Sequence, residues 1–306
     1  MSHGHDHGAH LAPTANRRRL ALVLAITGTV LVAEVVGAIL TGSLALLADA
    51  GHMLTDAAGL VIALVAAHLV TRPTTTRRTW GFHRAETLAA AAQALLLLGV
   101  GLYVFIEAIR RLIEPPEVAS VGMLIFGVVG LVGNAISIAV LARSRSANLN
   151  LRAAFLEVLT DALGSVAVIV AAIVIVTTGW IRADALVSLL IAALIVPRTV
   201  ALLRDTTRVL LESTPVGLDL DDVRRHLLEV PHVQAVHDLH ASQIATGLPV
   251  LSAHIVVDDE CFHDGHIPRL LDQLQGCVAD HFPVSVEHST FQFEQATHTQ
   301  HESGHH

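Results

Sequence analysis

His52 and Asp56 stand four residues apart in an otherwise apolar stretch, and Glu157 and Asp161 repeat that spacing in a later apolar stretch. On a helix, an i, i+4 spacing puts both side chains on one face, one turn apart. An ionisable side chain at the centre of a bilayer costs roughly 2.5–3.5 kcal/mol on the insertion scale. A divalent cation held between two helices offsets that cost for all four groups together. Tetrahedral zinc accepts imidazole nitrogen and carboxylate oxygen at about 2.0–2.2 Å, and two residues from each of two helices complete such a set. Polar packing or a water-lined cavity explains one buried acid well and two matched pairs poorly. Asp49 lies three residues before His52 on the same stripe, where it can support the site or line its access path.

The elements that must position these residues are long and apolar. Of 306 residues, 53% are hydrophobic and 15% charged, and the apolar residues concentrate before about position 205. Six stretches reach the length needed to cross a hydrocarbon core of about 30 Å at 1.5 Å per residue: Leu20–Leu40, Leu44–Val70, Glu86–Ile109, Val118–Leu141, Leu151–Thr177 and Ala183–Leu203. Thr41-Gly42-Ser43 makes a short turn after the first, and Glu114-Pro115-Pro116-Glu117 separates the third from the fourth. The first stretch is too long, and lacks the small-residue cleavage site, for a signal peptide. Arginine, which supplies every cationic side chain apart from histidine, is unevenly distributed. Arg17–Arg19, Arg72, Arg77, Arg78, Arg84, Arg143, Arg145 and Arg152 fall on one side, with only Arg110, Arg111 and Arg182 on the other. The positive-inside rule then places both termini in the cytoplasm, and the expected location is a plasma or inner membrane.

After Pro215 the pattern becomes that of a small α/β domain. Asp219–Glu229 reads as an amphipathic helix with acids at its start, where the helix dipole favours them. Val233–Ile244 and Val250–Val257 read as strands joined across Thr246-Gly247. Ile267–His281 places Leu270, Leu271, Leu274 and Val278 at helical spacing, and Ser285–Glu294 reads as a last strand. The αββαβ order predicts a ferredoxin-like layer of helices on a sheet. The expected organisation is a histidine-rich disordered start (1–16), a six-helix membrane domain (17–208), a cytoplasmic metal-binding domain (209–295) and a histidine-rich disordered tail (296–306). Cys261 and Cys277 are too few for a disulfide framework and point to a reducing compartment. The net charge of −8 and the lack of a basic cluster in the C-terminal part argue against nucleic acid as a partner. No nucleophile–base arrangement or phosphate-cradling loop suggests an enzyme or an organic cofactor. His301-Glu-Ser-Gly-His305 satisfies the HExxH pattern of zinc proteases, but it contains glycine, lacks an apolar flank and ends one residue later.

Three runs resemble the cation diffusion facilitator family of divalent-metal exporters. Ser43-Leu-Ala-Leu-Leu-Ala-Asp-Ala-Gly-His-Met-Leu-Thr-Asp-Ala57 is similar to its second-helix signature, Trp80-Gly-Phe-His-Arg-Ala-Glu86 to the start of its third helix, and Leu159-Thr-Asp-Ala-Leu-Gly-Ser165 to its fifth-helix signature. His237-Asp-Leu-His240 and Ser252-Ala-His254 resemble its cytoplasmic domain. The resemblance spans about residues 17–295. It implies a homodimer that exchanges cytoplasmic metal for external protons, with zinc as the first cargo and cadmium or cobalt as further ones. It also implies zinc bound in the cytoplasmic domain by His237, His254, His266 and Glu294, with His240, Cys261 and Asp264 as alternatives. Glu34 falls at an acidic position of the family's first helix that can line the access path.

One position departs from the zinc-transporting pattern: Glu157 stands where histidine is usual, leaving one histidine and three carboxylates. A harder donor set weakens the preference for zinc over manganese, iron or cobalt, so a manganese or iron exporter is the second reading. A membrane-bound metal sensor or buffer is a third, although a sensor has no need of ligands at membrane depth. Glu157→His should raise the zinc rate several-fold relative to the manganese rate in proteoliposomes under a pH gradient; an unchanged ratio would refute the donor-set argument.

Overall fold

The computed structural model describes residues 14–142 and 149–298. The histidine-rich stretches at 1–13 and 299–306, with the HExxH run, lie outside them, as do Arg143 and Arg145. Six long helices are present: α1 (Thr14–Thr41), α2 (Leu44–Val70), α3 (Arg84–Ile113), α4 (Ser120–Ala142), α5 (Leu149–Thr178) and α6 (Arg182–Leu210). Each is long and apolar enough to cross a membrane. The helices outrun the apolar stretches at several ends, because hydropathy marks where lipid stops and not where a hydrogen-bonded backbone must stop. Thus α6 continues through Pro197 to Leu210, since neighbouring groups re-satisfy the freed carbonyl in a membrane helix. Arg110 and Arg111 occupy the last turn of α3, where cations meet the negative end of the helix dipole.

Two compact units divide the chain. One runs to Ala58 and resumes over Gln93–Val200, and the other comprises Gly59–Ala92 with the chain from Ala201 onward. In the first unit, the early turns of α2 are enclosed on both sides. Ala45 and Leu46 pack with Ala38 of α1, Met123 of α4 and Val168, Ala171 and Ala172 of α5. Leu44 and Ala48 pack with Val104 and Ala108 of α3 and Ala192 of α6. So many alanines bring the helix backbones close, which is how helices gain van der Waals contact where lipid removes the hydrophobic drive.

The start of α2 is held from a distance. The first amides of a helix have no partner within it, and here the acceptor is Asp184, near the start of α6. Its carboxylate accepts from Ser43 Oγ (2.6 Å), Leu44 N (2.8 Å) and Ala45 N (3.1 Å). Arg111 donates from Nη1 to Gly42 O (2.6 Å) and from Nε to Glu107 (3.1 Å), and stands 3.9 Å from Asp184.

The second unit contains the α/β domain: α7 (Leu220–Leu228), β1 (Val233–Ala245), β2 (Leu248–Val257), α8 (Ile267–Asp280) and β3 (His288–Glu294). The order is the αββαβ expected, with an added 3-10 turn at Asp259–Phe262 and a last strand three residues shorter at its start. Asp219 caps α7, its side chain accepting from the amides of Asp221 and Asp222. The sheet runs β1-β2-β3, with β1 and β2 antiparallel and β2 and β3 parallel. A parallel pair needs a crossover connection, and α8 supplies it. Val223 and Leu227 of α7 and Leu270, Leu274 and Val278 of α8 share one core with Leu251, Ala253 and Ile255 of β2. Cys261 and Cys277 are buried free thiols. Within this unit the loop before α3 touches the domain: Trp80 meets His288 edge-on at 4.8 Å, and Arg84 pairs with Glu212 at 2.6 Å.

Asp184→Ala removes the acceptor of two amides, a hydroxyl and part of an arginine in a buried place, a loss worth about 2–4 kcal/mol. Thermal unfolding of the detergent-solubilised chain should show a clearly lower midpoint, with Asp184→Asn between the two; an unshifted midpoint would contradict this role.

Candidate metal sites

Asp49, His52 and Asp56 follow one another along a single stripe of α2. His52 Nε2 lies 3.4 Å from Asp56 Oδ2, and both side chains are about one-fifth exposed. His52 Nδ1 is buried without a hydrogen-bond partner, which leaves a nitrogen lone pair or proton uncommitted. The His52 ring lines a small, mostly apolar cavity with Ala48, Leu97, Val100 and Ile195. Gln93 and the charge of Arg198 both act on Asp56. On α5, Asp161 is buried and Glu157 exposed. The charges of Asp49, Asp56 and Glu157 all act on Asp161, so the acids of α2 and α5 belong to one electrostatic neighbourhood.

The four donors are nevertheless not gathered into a ligand shell. Among the described residues, the group that brings three ligand atoms within 4.8 Å of one another is His237, His254 and Glu294. Three of the four membrane donors are carboxylates, and like charges hold apart. Glu34 of α1 is buried, with its carboxylate against Gly130 of α4, and Asp49 is buried against Gly164 of α5. At both glycines a Cβ would fall within 2.7 Å of a carboxylate oxygen, so absence of a side chain is what admits each acid.

The α/β domain assembles its group by strand register. His237 of β1 lies directly opposite His254 of β2, and cross-strand partners share a face. His254 pairs with Gln292 of β3 in the parallel register, and Glu294, two residues on, returns to the same face. The result is Glu294 Oε1 at 2.7 Å from His254 Nδ1 and Oε2 at 3.2 Å from His237 Nε2. Glu294 is 1% exposed, and Gln292 Nε2 also donates to it at 2.7 Å. Two imidazoles and a carboxylate form a three-donor set suited to zinc or a similar divalent ion, leaving one position of a tetrahedron to fill.

Asp238 is a candidate for that position which the motifs did not single out. Strict alternation would turn it to the opposite face. A register shift between His237 and His240 and a left-handed backbone at Asp238 (φ 48°) bring it round, as β-bulges do when they re-aim a side chain. Its Oδ2 stands 3.6 Å from His254 Nε2. The hydrogen bond with His240 (2.9 Å) holds its carboxyl below the usual carboxylate range, keeping it ionised and able to ligate. The legible signal was the acid inside His-Asp-Leu-His.

His266 is not part of this group. It pairs with Asp264 at 2.6 Å and lies against the His232 ring at 5.3 Å. His232 in turn holds Asp258 at 3.0 Å. His240 serves Asp238, and Asp264 serves His266. Cys261 is a buried free thiol outside this group, and burial, followed by the charges of Asp264 and Asp258, pushes its thiol up.

Residues 20–211 match the cation efflux transmembrane domain, and residues 215–296 match the cation efflux protein cytoplasmic domain. The chain is 44% identical over 294 residues to the metal cation efflux system protein CzcD of Cupriavidus metallidurans, covering 96% of this chain and 90% of that one. It is 42% identical over 297 residues to the zinc transporter ZitB of Escherichia coli, covering 96% and 93%. It is 36% identical over 301 residues to the cadmium, cobalt and zinc/H(+)-K(+) antiporter of Bacillus velezensis, covering 97% and 93%.

In the full-length chain, His254→Ala removes the central donor of the α/β-domain group. Equilibrium dialysis should show about one fewer zinc bound per chain, or at least a roughly tenfold weaker site. Zinc binding identical to the wild type would exclude this group as a site.

Proposed function

This chain belongs to the cation diffusion facilitator family, in its zinc, cadmium and cobalt exporter subgroup, and we propose that it exports zinc from the cytoplasm in exchange for protons. Membership makes it a multi-pass membrane transporter of divalent cations and not an enzyme. The observation that supports the finer reading is that His52 and Asp56 on α2 and Glu157 and Asp161 on α5, though not gathered into a shell, lie within reach of one another's charge. These four are the proposed ligands of the transported ion.

Coupling follows from the donors. Metal requires neutral imidazole and ionised carboxylates, so protons and metal compete for the same atoms. Protons arriving from outside displace the metal, and their loss to the cytoplasm readies the site again. Imidazole is the side chain whose ordinary titration spans physiological pH, and His52 brings one to the four. Glu157 favours a second reading, export of manganese or iron, because it replaces a nitrogen donor by oxygen. The names of the relatives, a zinc transporter and a cadmium, cobalt and zinc antiporter, favour zinc.

The arginine asymmetry supports cytoplasmic termini, with 17–208 as the membrane domain and 209–295 as the cytoplasmic one. The αββαβ order supports a ferredoxin-like fold for the latter. Metal held by His237, His254 and Glu294, with a second copy of the chain completing a homodimer, would favour one arrangement of the membrane halves. The Trp80–His288 and Arg84–Glu212 contacts provide a route by which the domain acts on α3.

His52→Ala and Asp161→Ala should each abolish zinc uptake into proteoliposomes driven by a proton gradient. Wild-type rates in either variant would remove that residue from the transport site.

A further inference from the structure

No acid occurs between Asp56 and Glu86, a stretch that holds Arg72, Arg77, Arg78 and Arg84. The loop joining α2 to α3 therefore carries positive charge alone. Arg84 pairs with Glu212 at 2.6 Å. Arg72, Arg77 and Arg78 are exposed and have no acidic partner among the described residues. The positive-inside rule accounts for arginines at this place and is silent on how they are displayed.

Their display is ordered. Thr75 and Arg78 exchange backbone hydrogen bonds of 3.1 and 3.0 Å, closing a tight hairpin with Thr76 and Arg77 at its tip. Thr75 Oγ1 accepts a further bond from the Arg78 amide at 3.2 Å. Gly81, in the left-handed region at φ 60°, turns the chain so that its amide donates to Arg78 O at 3.0 Å. The Arg78 guanidinium lies 4.3 Å over the Phe82 ring. That stack restrains the side chain and consumes none of its N–H donors, a planar fork that fits a phosphate bidentately. A side chain already restrained loses less freedom on binding.

The hairpin also stands at the depth of lipid phosphates. α2 has 27 residues, about 40 Å of helix at 1.5 Å per residue, close to the thickness of a bilayer with its headgroups. Leu60, Val61, Leu64 and Val65 expose apolar surface on α2 before the loop. Trp80, 37% exposed, is of the type that settles at a membrane–water interface.

We infer that the α2–α3 hairpin is a binding site for the headgroup phosphate of an anionic phospholipid, held by Arg77 and Arg78 with Arg72 adding charge. The guanidinium forks recognise the phosphate, and the acyl chains lie along the exposed apolar surface of α2. Trp80 meets His288 edge-on, so a lipid bound here sits beside the contact between the loop and the α/β domain. The inference rests on the helices crossing a membrane and is independent of which metal is carried.

Native mass spectrometry of the full-length chain in neutral detergent, titrated with phosphatidylglycerol or phosphatidylcholine, reads the affinity directly. The wild type should hold phosphatidylglycerol about tenfold more tightly than phosphatidylcholine. Arg77→Gln and Arg78→Gln should each weaken phosphatidylglycerol binding about fivefold, the contribution of one arginine beside an anionic headgroup. Arg77 stands at the exposed tip, so its variant keeps the Arg78–Phe82 stack and decides the outcome if Arg78→Gln does not fold. Arg110→Gln, at the far end of α3, should change nothing. Equal affinity for the two lipids, unaltered binding in Arg77→Gln, or an equal loss in Arg110→Gln overturns the site. Displacement of phosphatidylglycerol by excess inorganic phosphate overturns a lipid as its ligand. Zinc movement is not in the readout, so failure of the transport reading leaves the result standing.

Discussion

The carboxylate of Asp184, bound to the first amides of α2, sets the frame in which the chemically active residues stand. A helix advances about 1.5 Å and turns about 100° per residue, so holding its first turn places Asp49, His52 and Asp56 in both depth and direction. In a bilayer there is no water to satisfy the free amides at a helix start, and a buried start must therefore borrow an acceptor. Here it borrows one from α6, and Arg111 of α3 joins the same knot through Gly42. Three helices meet at one carboxylate, and the alanine-lined contacts around it keep α2 close to its neighbours on both sides.

The membrane half handles each of its acids by a different physical device. Asp184 is surrounded by donors, and Glu107 is matched to arginines. Asp56 faces an imidazole and a side-chain amide. Glu34 and Asp49 are buried, with carboxylate oxygens that no hydrogen bond satisfies among the described residues. The first two devices satisfy a permanent charge and suit structure. The others leave the charge conditional on a proton or a cation, and that conditional state is what an exchanger needs. The division between structural and working acids follows from their partners, since all are carboxylates in apolar helices.

The two candidate metal sites are built by contrasting means. In the α/β domain, hydrogen-bonded strands fix His237, His254 and Glu294 on one face, and the bulge at Asp238 adds a further acid. Covalent geometry and register do most of the gathering, so the donors are already close. Between α2 and α5 the donors come from separate helices and most carry like charges, so no backbone ladder brings them together. In the proposed transport role a cation would balance them. A rigid site suits a resident ion, and a looser one suits an ion that must leave.

Six apolar stretches of bilayer length, the i, i+4 pairs and the αββαβ pattern depend on local composition and periodicity, and each is present in the structure. Helix ends were less legible, because hydropathy reports the solvent and not the hydrogen bonding that carried α6 to Leu210. The histidines and glutamate of the α/β-domain group could be named from motifs, yet His266 stands apart with Asp264, and Asp238 takes a place beside them. A single bulge decided that, and a bulge leaves little trace in composition. The sequence by itself determined which residues can hold charge, how they are spaced and which segments must lie in lipid, since these follow from chemistry and chain periodicity. Tertiary structure alone decided which of them meet. Asp184 reaches the start of α2 across 140 residues, and Glu34 and Asp49 are admitted to the interior because glycines on two other helices leave room. Contacts of that kind arise from the packing of distant helices, where small residues permit an approach that no local pattern announces.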